Sequence, residues 1–228
     1  MNLVGHTDVH YKGVIFDFNG TLFWDTPYHN QAWNQFLEAH DIHMSDMEMI
    51  QKIHGKTNAA IFRNLFGPDL EPWRINQMAQ DKESIYRKLC SKQQMQLAPG
   101  VSELLQFLKD IGIPFTIATA SGADNLDFYF EHLSLNRWFN FDKVVYDNGT
   151  FPGKPEPDIF LLAAKQLKLS SKETVIFEDS FAGILAAENA GAGKIFIVNS
   201  NKDDYSQWHY KIITDFDQVE RSIFVKSP

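Results

Sequence analysis

Cys90 is the only cysteine in the 228 residues, so no disulfide can form within the chain and its fold must rest on burial. A reducing compartment, the cytoplasm, is the expectation, with Cys90 a packed thiol rather than a nucleophile. Basic residues are outnumbered: 21 Lys and Arg against 29 Asp and Glu give a formal net charge of −8 and a pI near 5.4. With no cluster of Lys or Arg to track a phosphate backbone, a nucleic-acid partner is excluded. No apolar run approaches the roughly 18 residues of a membrane span. The first ten residues have neither the basic start nor the apolar stretch of a secretion signal, so no membrane partner is expected either. Repeats and low-complexity tracts are absent as well. What remains is an ordinary globular composition, 44% hydrophobic and 22% charged, in a 26.2 kDa chain. That is long enough for one large domain, or one domain carrying a smaller insertion.

Five short apolar runs rich in β-branched and aromatic residues, at 13–16, 114–119, 143–146, 174–177 and 195–198, read as strands. Several are apolar almost without a break, as strands covered on both faces are. Helical periodicity lies between the later ones: Val101, Leu104, Leu105 and Leu108 line one stripe, and Ile159, Leu162, Ala163 and Leu167 another. This βαβ alternation predicts an α/β fold with a doubly wound parallel sheet. About a hundred residues separate the first two runs, far more than one crossover helix needs. Within them Trp33, Phe36 and Leu37, then Ile61, Phe62 and Leu65, then Ile85, Tyr86 and Leu89 repeat at helical spacing, with a break at Gly67-Pro68-Asp69. The expected organisation is a core formed by 1–24 and 95–228, with an inserted helical unit at 25–94. After about residue 199, the segment with Trp208, Tyr210, Ile212 and Ile213 is expected to add a last strand or helix.

In open parallel sheets ligands gather beyond the carboxyl ends of the strands. The first run ends at Asp17, just before a Gly-containing turn. The second ends at Thr119, followed by Ala120 and Ser121; the segment after the third leads to Lys154; the fourth ends in Glu178-Asp179-Ser180. Each has an ordinary structural explanation when taken alone: a helix cap, a turn, a solvated loop charge, a cap for the helix after Ser180. A carboxylate, a hydroxyl, a cation and an acidic pair at successive strand ends make the joint coincidence hard to explain that way.

Their order resembles the four signatures of the haloacid dehalogenase-like (HAD) phosphotransferase superfamily: Asp17-Phe18-Asn19-Gly20-Thr21, Thr119, Lys154, and Glu178-Asp179-Ser180-Phe181-Ala182-Gly183. The last run, together with Gly153-Lys154-Pro155-Glu156-Pro157-Asp158, is similar to the β-phosphoglucomutase-like, helical-capped branch. The resemblance covers about residues 12–200 and implies a Rossmann-like core with a helical cap. It also implies an aspartyl-phosphate formed at Asp17 and a Mg²⁺ ion held by Asp17, Glu178, Asp179 and the main-chain carbonyl of Asn19. Gly20, Thr21, Ala120 and Ser121 are implied at the phosphate, with Thr119 donating to a phosphoryl oxygen and Lys154 offsetting its charge. That chemistry is coherent, because crowded carboxylates repel one another unless a hard cation holds them. In the insertion, His29 and Lys56 stand where the branch places a hinge histidine and a substrate-selecting loop. The substrate implied is a small phosphorylated metabolite.

One position departs from the pattern. The family's usual Asp-x-Asp-Gly-Thr carries a second Asp that serves as general acid and base, and here it is Asn19. An amide neither gives nor takes a proton at neutral pH, and the lost step is worth roughly 10² to 10⁴-fold. A slow phosphatase is therefore the first expectation. Alternatives are a carbon–phosphorus hydrolase using a cap lysine such as Lys56, a sugar-phosphate mutase-like enzyme, and an impaired phospho-ligand binder or acid/base-knockout variant. The mutase is disfavoured because Asn58 stands where an arginine is expected to hold a second phosphate. Asn19→Asp is expected to speed alkyl phosphates more than aryl ones.

Overall fold

Residues 13–16 lie between two layers of helices and form β1 (Gly13–Phe16), with all four side chains buried. The computed structural model describes residues 10–225; residues 1–9, where no secretion signal is expected, and 226–228 lie outside them. The other strands are β2 (Phe115–Thr119), β3 (Val145–Tyr146), β4 (Thr174–Glu178), β5 (Lys194–Val198) and β6 (Lys211–Ile213). They form one sheet in the order β3-β2-β1-β4-β5-β6, with every neighbouring pair parallel. This is the doubly wound arrangement expected from the alternation of runs. The third strand is shorter than its apolar run, because Asn140 Oδ1 accepts from the Asp142 N–H at 3.0 Å and winds 141–143 into a 3₁₀ turn. The C-terminal segment supplies β6 beside β5.

Side-chain alternation along the strands builds two cores. Val14, Phe16, Val175, Phe177, Phe196 and Val198 face α5 (Val101–Asp110) and α6 (Ala123–His132). Ile15, Ile176 and Ile195 face α7 (Asp158–Gln166) and α8 (Phe181–Asn189). Phe16, Phe177 and Phe196 stack across three adjacent strands with centroids 5.1 and 4.9 Å apart. Burying each such side chain contributes roughly 1.5–3 kcal/mol, so the central strands, and the residues at their ends, are firmly held.

Between β1 and α5 lie α1 (Thr26–Glu38), α2 (Asp46–Lys52), α3 (Asn58–Phe66) and α4 (Pro72–Cys90). The sequence stripes fall on α1, α3 and α4. The short α2 carries no such stripe and is started by a Ser45/Glu48 capping box. Trp33, Phe36, Leu37, Met49, Ile61 and Phe62 form a separate core for these helices. Tyr86 and Cys90, near the end of α4, are instead buried in the core beside the sheet. Burial pushes the Cys90 thiol up to about 12, so it is a packed, inert group. Among the described residues no helix is long and apolar enough to cross a membrane.

Candidate active site

Parallel pairing of β1 with β4 matches Phe16 to Phe177, so Asp17 and Glu178 leave the sheet side by side at the point where strand order reverses. The Asp17 N–H donates to the Phe177 carbonyl at 3.0 Å and fixes this exit. Carboxylate oxygens of Asp17, Glu178 and Asp179 all lie within 4.8 Å of one another, and all three residues are buried. Lys154, from the loop before α7, places Nζ 2.5 Å from Asp17 Oδ1 and also donates to Glu178 Oε1.

Local sequence makes room for this cluster. Ser180 caps α8 through a bond from the Gly183 N–H at 3.0 Å, and its own N–H and hydroxyl donate to Glu178 Oε2 at 2.7 and 3.0 Å. A Cβ on Gly183 would lie 1.8 Å from Glu178 Oε1, so the helix can approach the carboxylate only with glycine there. Gly20 has φ of +76° and a Cβ there would meet Asp179 Oδ2 at 2.0 Å; beside it, the Thr21 hydroxyl donates to Asp179 Oδ1 at 3.3 Å.

The charges do not balance. Burial pushes the Asp17 carboxyl up to about 7; the Lys154 ammonium pulls it down and Glu178 pushes it further up. Burial, then Glu178 and Asp17, raise Asp179 as well. Lys154 is held above its ordinary value because the two carboxylates outweigh its own desolvation. Three buried carboxylates facing one ammonium leave negative charge to be offset, and their hard oxygen donors suit a divalent cation of the Mg²⁺ type.

Asn19 is fully partnered. Its Nδ2 donates to Asp25 Oδ2 at 2.6 Å and to the Tyr129 hydroxyl at 2.8 Å, while Oδ1 accepts from the hydroxyls of Ser121 at 2.8 Å and Thr119 at 3.3 Å. Thr119, expected to face a phosphoryl oxygen, is fully buried; its hydroxyl donates to Asn19 and accepts from the Ser121 N–H at 3.1 Å. Above these residues opens a cleft of about 650 Å³ including its mouth. Asp17, Asn19, Ala120, Ser121 and Asp179 line it from the sheet side. The inserted helices supply His29, Trp33, His54, Lys56, Asn58, Lys82 and Glu83.

Two insertion residues differ in standing. His29 stacks on Tyr86 with centroids 3.8 Å apart, and its Nε2 lies 3.4 Å from Asp25 Oδ2. Lys56 lines the cleft, but its Nζ donates to the Gln51 carbonyl at 2.6 Å, folded back onto its own loop. The buried cation on this side is Lys82, which sequence reading passed over: Nζ is 2.5 Å from Glu83 Oε1 and 4.9 Å from the Trp33 ring centre. Burial pushes Glu83 up, but Lys82, His29 and a bond from Asn58 outweigh it and hold the carboxyl at about 2. Asp81-Lys82-Glu83 reads in sequence as a solvated helix face. Asp25 was missed too, since an Asp before Thr26-Pro27 reads as a helix cap. It makes no cap bond, and Oδ1 accepts from the Gly20 N–H at 2.9 Å.

Residues 11–191 match the family model of haloacid dehalogenase-like hydrolases, and the chain belongs to that family. It is thus a hydrolase of the HAD class. A phosphorylated-carbohydrate phosphatase of Thermotoga maritima is 28% identical over 84% of this chain and 88% of its own. A β-phosphoglucomutase of Bacillus subtilis is 33% identical over 79% of this chain and 80% of its own. Among solved structures, a HAD hydrolase of family IA, variant 3, from Entamoeba histolytica superposes with a TM-score of 0.82 at 32% identity, covering 93% of this chain and 97% of that one.

Proposed function

We propose that this chain is a Mg²⁺-dependent phosphatase of a small phosphorylated metabolite, working through an aspartyl-phosphate on Asp17. The observation that carries this reading is the buried Asp17 carboxylate on the floor of the cleft, gripped by Lys154 and flanked by Glu178 and Asp179. Asp17, Glu178, Asp179 and the Asn19 main-chain carbonyl would hold the Mg²⁺ ion, which would neutralise charge on the phosphate. Lys154 orients the Asp17 oxygen and offsets charge on the transferring group, Ala120 and Ser121 on the cleft wall face the phosphate, and the buried Thr21 and Thr119 hydroxyls hold Asp179 and Asn19 in place. The insertion at 25–94 acts as a cap that excludes water and chooses the substrate, with Lys82, Glu83 and Trp33 nearer to that choice than Lys56.

A mutase is the weaker reading: position 19 lacks the acid it needs, and the Asn58 amide donates to Glu83 Oε1 at 2.7 Å rather than standing free for a second phosphate. The carbon–phosphorus reading loses its candidate lysine, because the Lys56 amine is tied to Gln51. The test is turnover of p-nitrophenyl phosphate with Mg²⁺, with covalent label followed on the protein. Asp17→Asn is expected to abolish both turnover and label; persistence of either in that variant refutes the nucleophile.

A further inference from the structure

On the side of the insertion, the cleft above Asp17 ends in a wall that it shares with a second hollow. Asn58 and Glu83 line the cleft and also line that hollow, which opens between α4 and the start of α6 with a volume of about 660 Å³ including its mouth. Polar bonds hold the wall in place. Glu83 Oε1 lies 2.5 Å from Lys82 Nζ and accepts from Asn58 Nδ2 at 2.7 Å, while Oε2 accepts from Asn125 Nδ2 at 2.7 Å. On the hollow's side, Arg87 Nη1 donates to Asn125 Oδ1 at 2.7 Å. Asn125 is buried on α6, so its amide ties a wall built from the insertion to the core.

The wall carries a fixed negative charge. Burial pushes the Glu83 carboxyl up, but Lys82 and the bonds to it hold it at about 2, so it is ionised at neutral pH, and its side chain keeps 14% exposure. Lys82 is spent on that pairing, buried against Glu83 with Nζ 4.9 Å from the Trp33 ring centre. Lys56, the other lysine lining the cleft, donates to the Gln51 carbonyl. A second phosphate or carboxylate reaching this end therefore meets a carboxylate and, among the described residues, no free lysine or arginine on the cleft's lining. A hydroxyl fits there, because Oε2 accepts from Asn125 alone and a carboxylate oxygen has lone pairs for about two donors. We infer that Glu83 determines specificity by closing the cleft to a second anion, so that the substrate bears one phosphate, seated at Asp17, and a far end of neutral hydroxyls. The inference rests on the phosphatase reading of Asp17 and adds to it which phosphorylated metabolites the cleft refuses.

The experiment uses mannitol phosphorylated at one terminal carbon and mannitol phosphorylated at both, each as a competitor of p-nitrophenyl phosphate turnover by the full chain with Mg²⁺. The unaltered chain is expected to bind the monophosphate about tenfold more tightly than the bisphosphate. Glu83→Gln keeps the size of the wall, removes its charge and frees Lys82, and is expected to shift the ratio of the two inhibition constants about tenfold toward the bisphosphate. Lys82→Met leaves the carboxylate without its cation and is expected to shift the ratio the other way, with the double variant returning it toward that of the unaltered chain. Opposite shifts from neighbouring side chains are not produced by loss of packing, and Lys82→Met still gives a reading where Glu83→Gln folds poorly. A ratio unchanged in both single variants overturns the inference and leaves the phosphatase reading standing. So does an unaltered chain that binds the bisphosphate as tightly as the monophosphate, or that binds neither. Absence of Asp17-dependent turnover of p-nitrophenyl phosphate removes that reading and the inference with it.

Discussion

Asn19 reads in sequence as a gap in an otherwise regular motif, and its neighbours in the fold reverse the effect expected of replacing it. A carboxylate at position 19 would lie where the amide nitrogen now donates to buried Asp25 at 2.6 Å, so Asn19→Asp sets two carboxylates against each other and forces them to share a proton. Asn19→Asp is therefore expected to lower stability by about 1–3 kcal/mol at neutral pH, read from urea unfolding, and not to raise alkyl-phosphate turnover. The double change Asn19→Asp with Asp25→Asn should recover the stability. An Asn19→Asp variant as stable as the unaltered chain would show that Asp25 does not depend on the amide.

Between α2 and α3, His54 sits in the loop before Gly55 with its ring nitrogen 2.8 Å from Asn30 Oδ1. Burial, and then the charge of His29, hold its imidazole down at about 4. For a group depressed in the folded state, the contribution to stability is present above the ordinary imidazole value near 6.5 and is lost as pH falls toward 4. The chain should thus lose up to about 3 kcal/mol relative to His54→Gln across that range, measured as the difference between their unfolding curves. Parallel curves would mean that the loop opens to let the ring protonate. Helices α1, α3 and α4 were legible because their apolar stripes repeat over many residues. The seven-residue α2 buries only Met49 fully, too little to show as a repeating apolar stripe.

For the molecule as a whole, the acidic cluster is expected to couple folding to a divalent cation. Asp17 is raised to about 7 and Asp179 is raised as well, so without metal their contribution is present below the ordinary carboxylate range and is lost as pH climbs toward 7, opposite in sign to His54. A divalent cation offsets that loss. Mg²⁺ at a hundredfold excess over its Kd should add about 2.7 kcal/mol, or roughly 5–10 °C in Tm. The shift should be larger at pH 8 than at pH 5, where protons compete for the same oxygens. A Tm indifferent to Mg²⁺ at pH 8 would rule out the cluster as its site. The sheet, the length of the insertion, the strand-end residues Asp17, Thr119, Glu178 and Asp179, and Lys154 in the loop after β3 could all be read from the chain, because apolar runs and the polar residues that follow them are local patterns, and parallel strands bring their ends together. Asp25 behind Asn19, His29 flat on Tyr86, and Lys82 rather than Lys56 as the buried cation became visible only in the folded chain. They meet through the packing of α1 against α4 and of α4 against α6, and no local pattern tells a charge that packing will bury from one that water will keep.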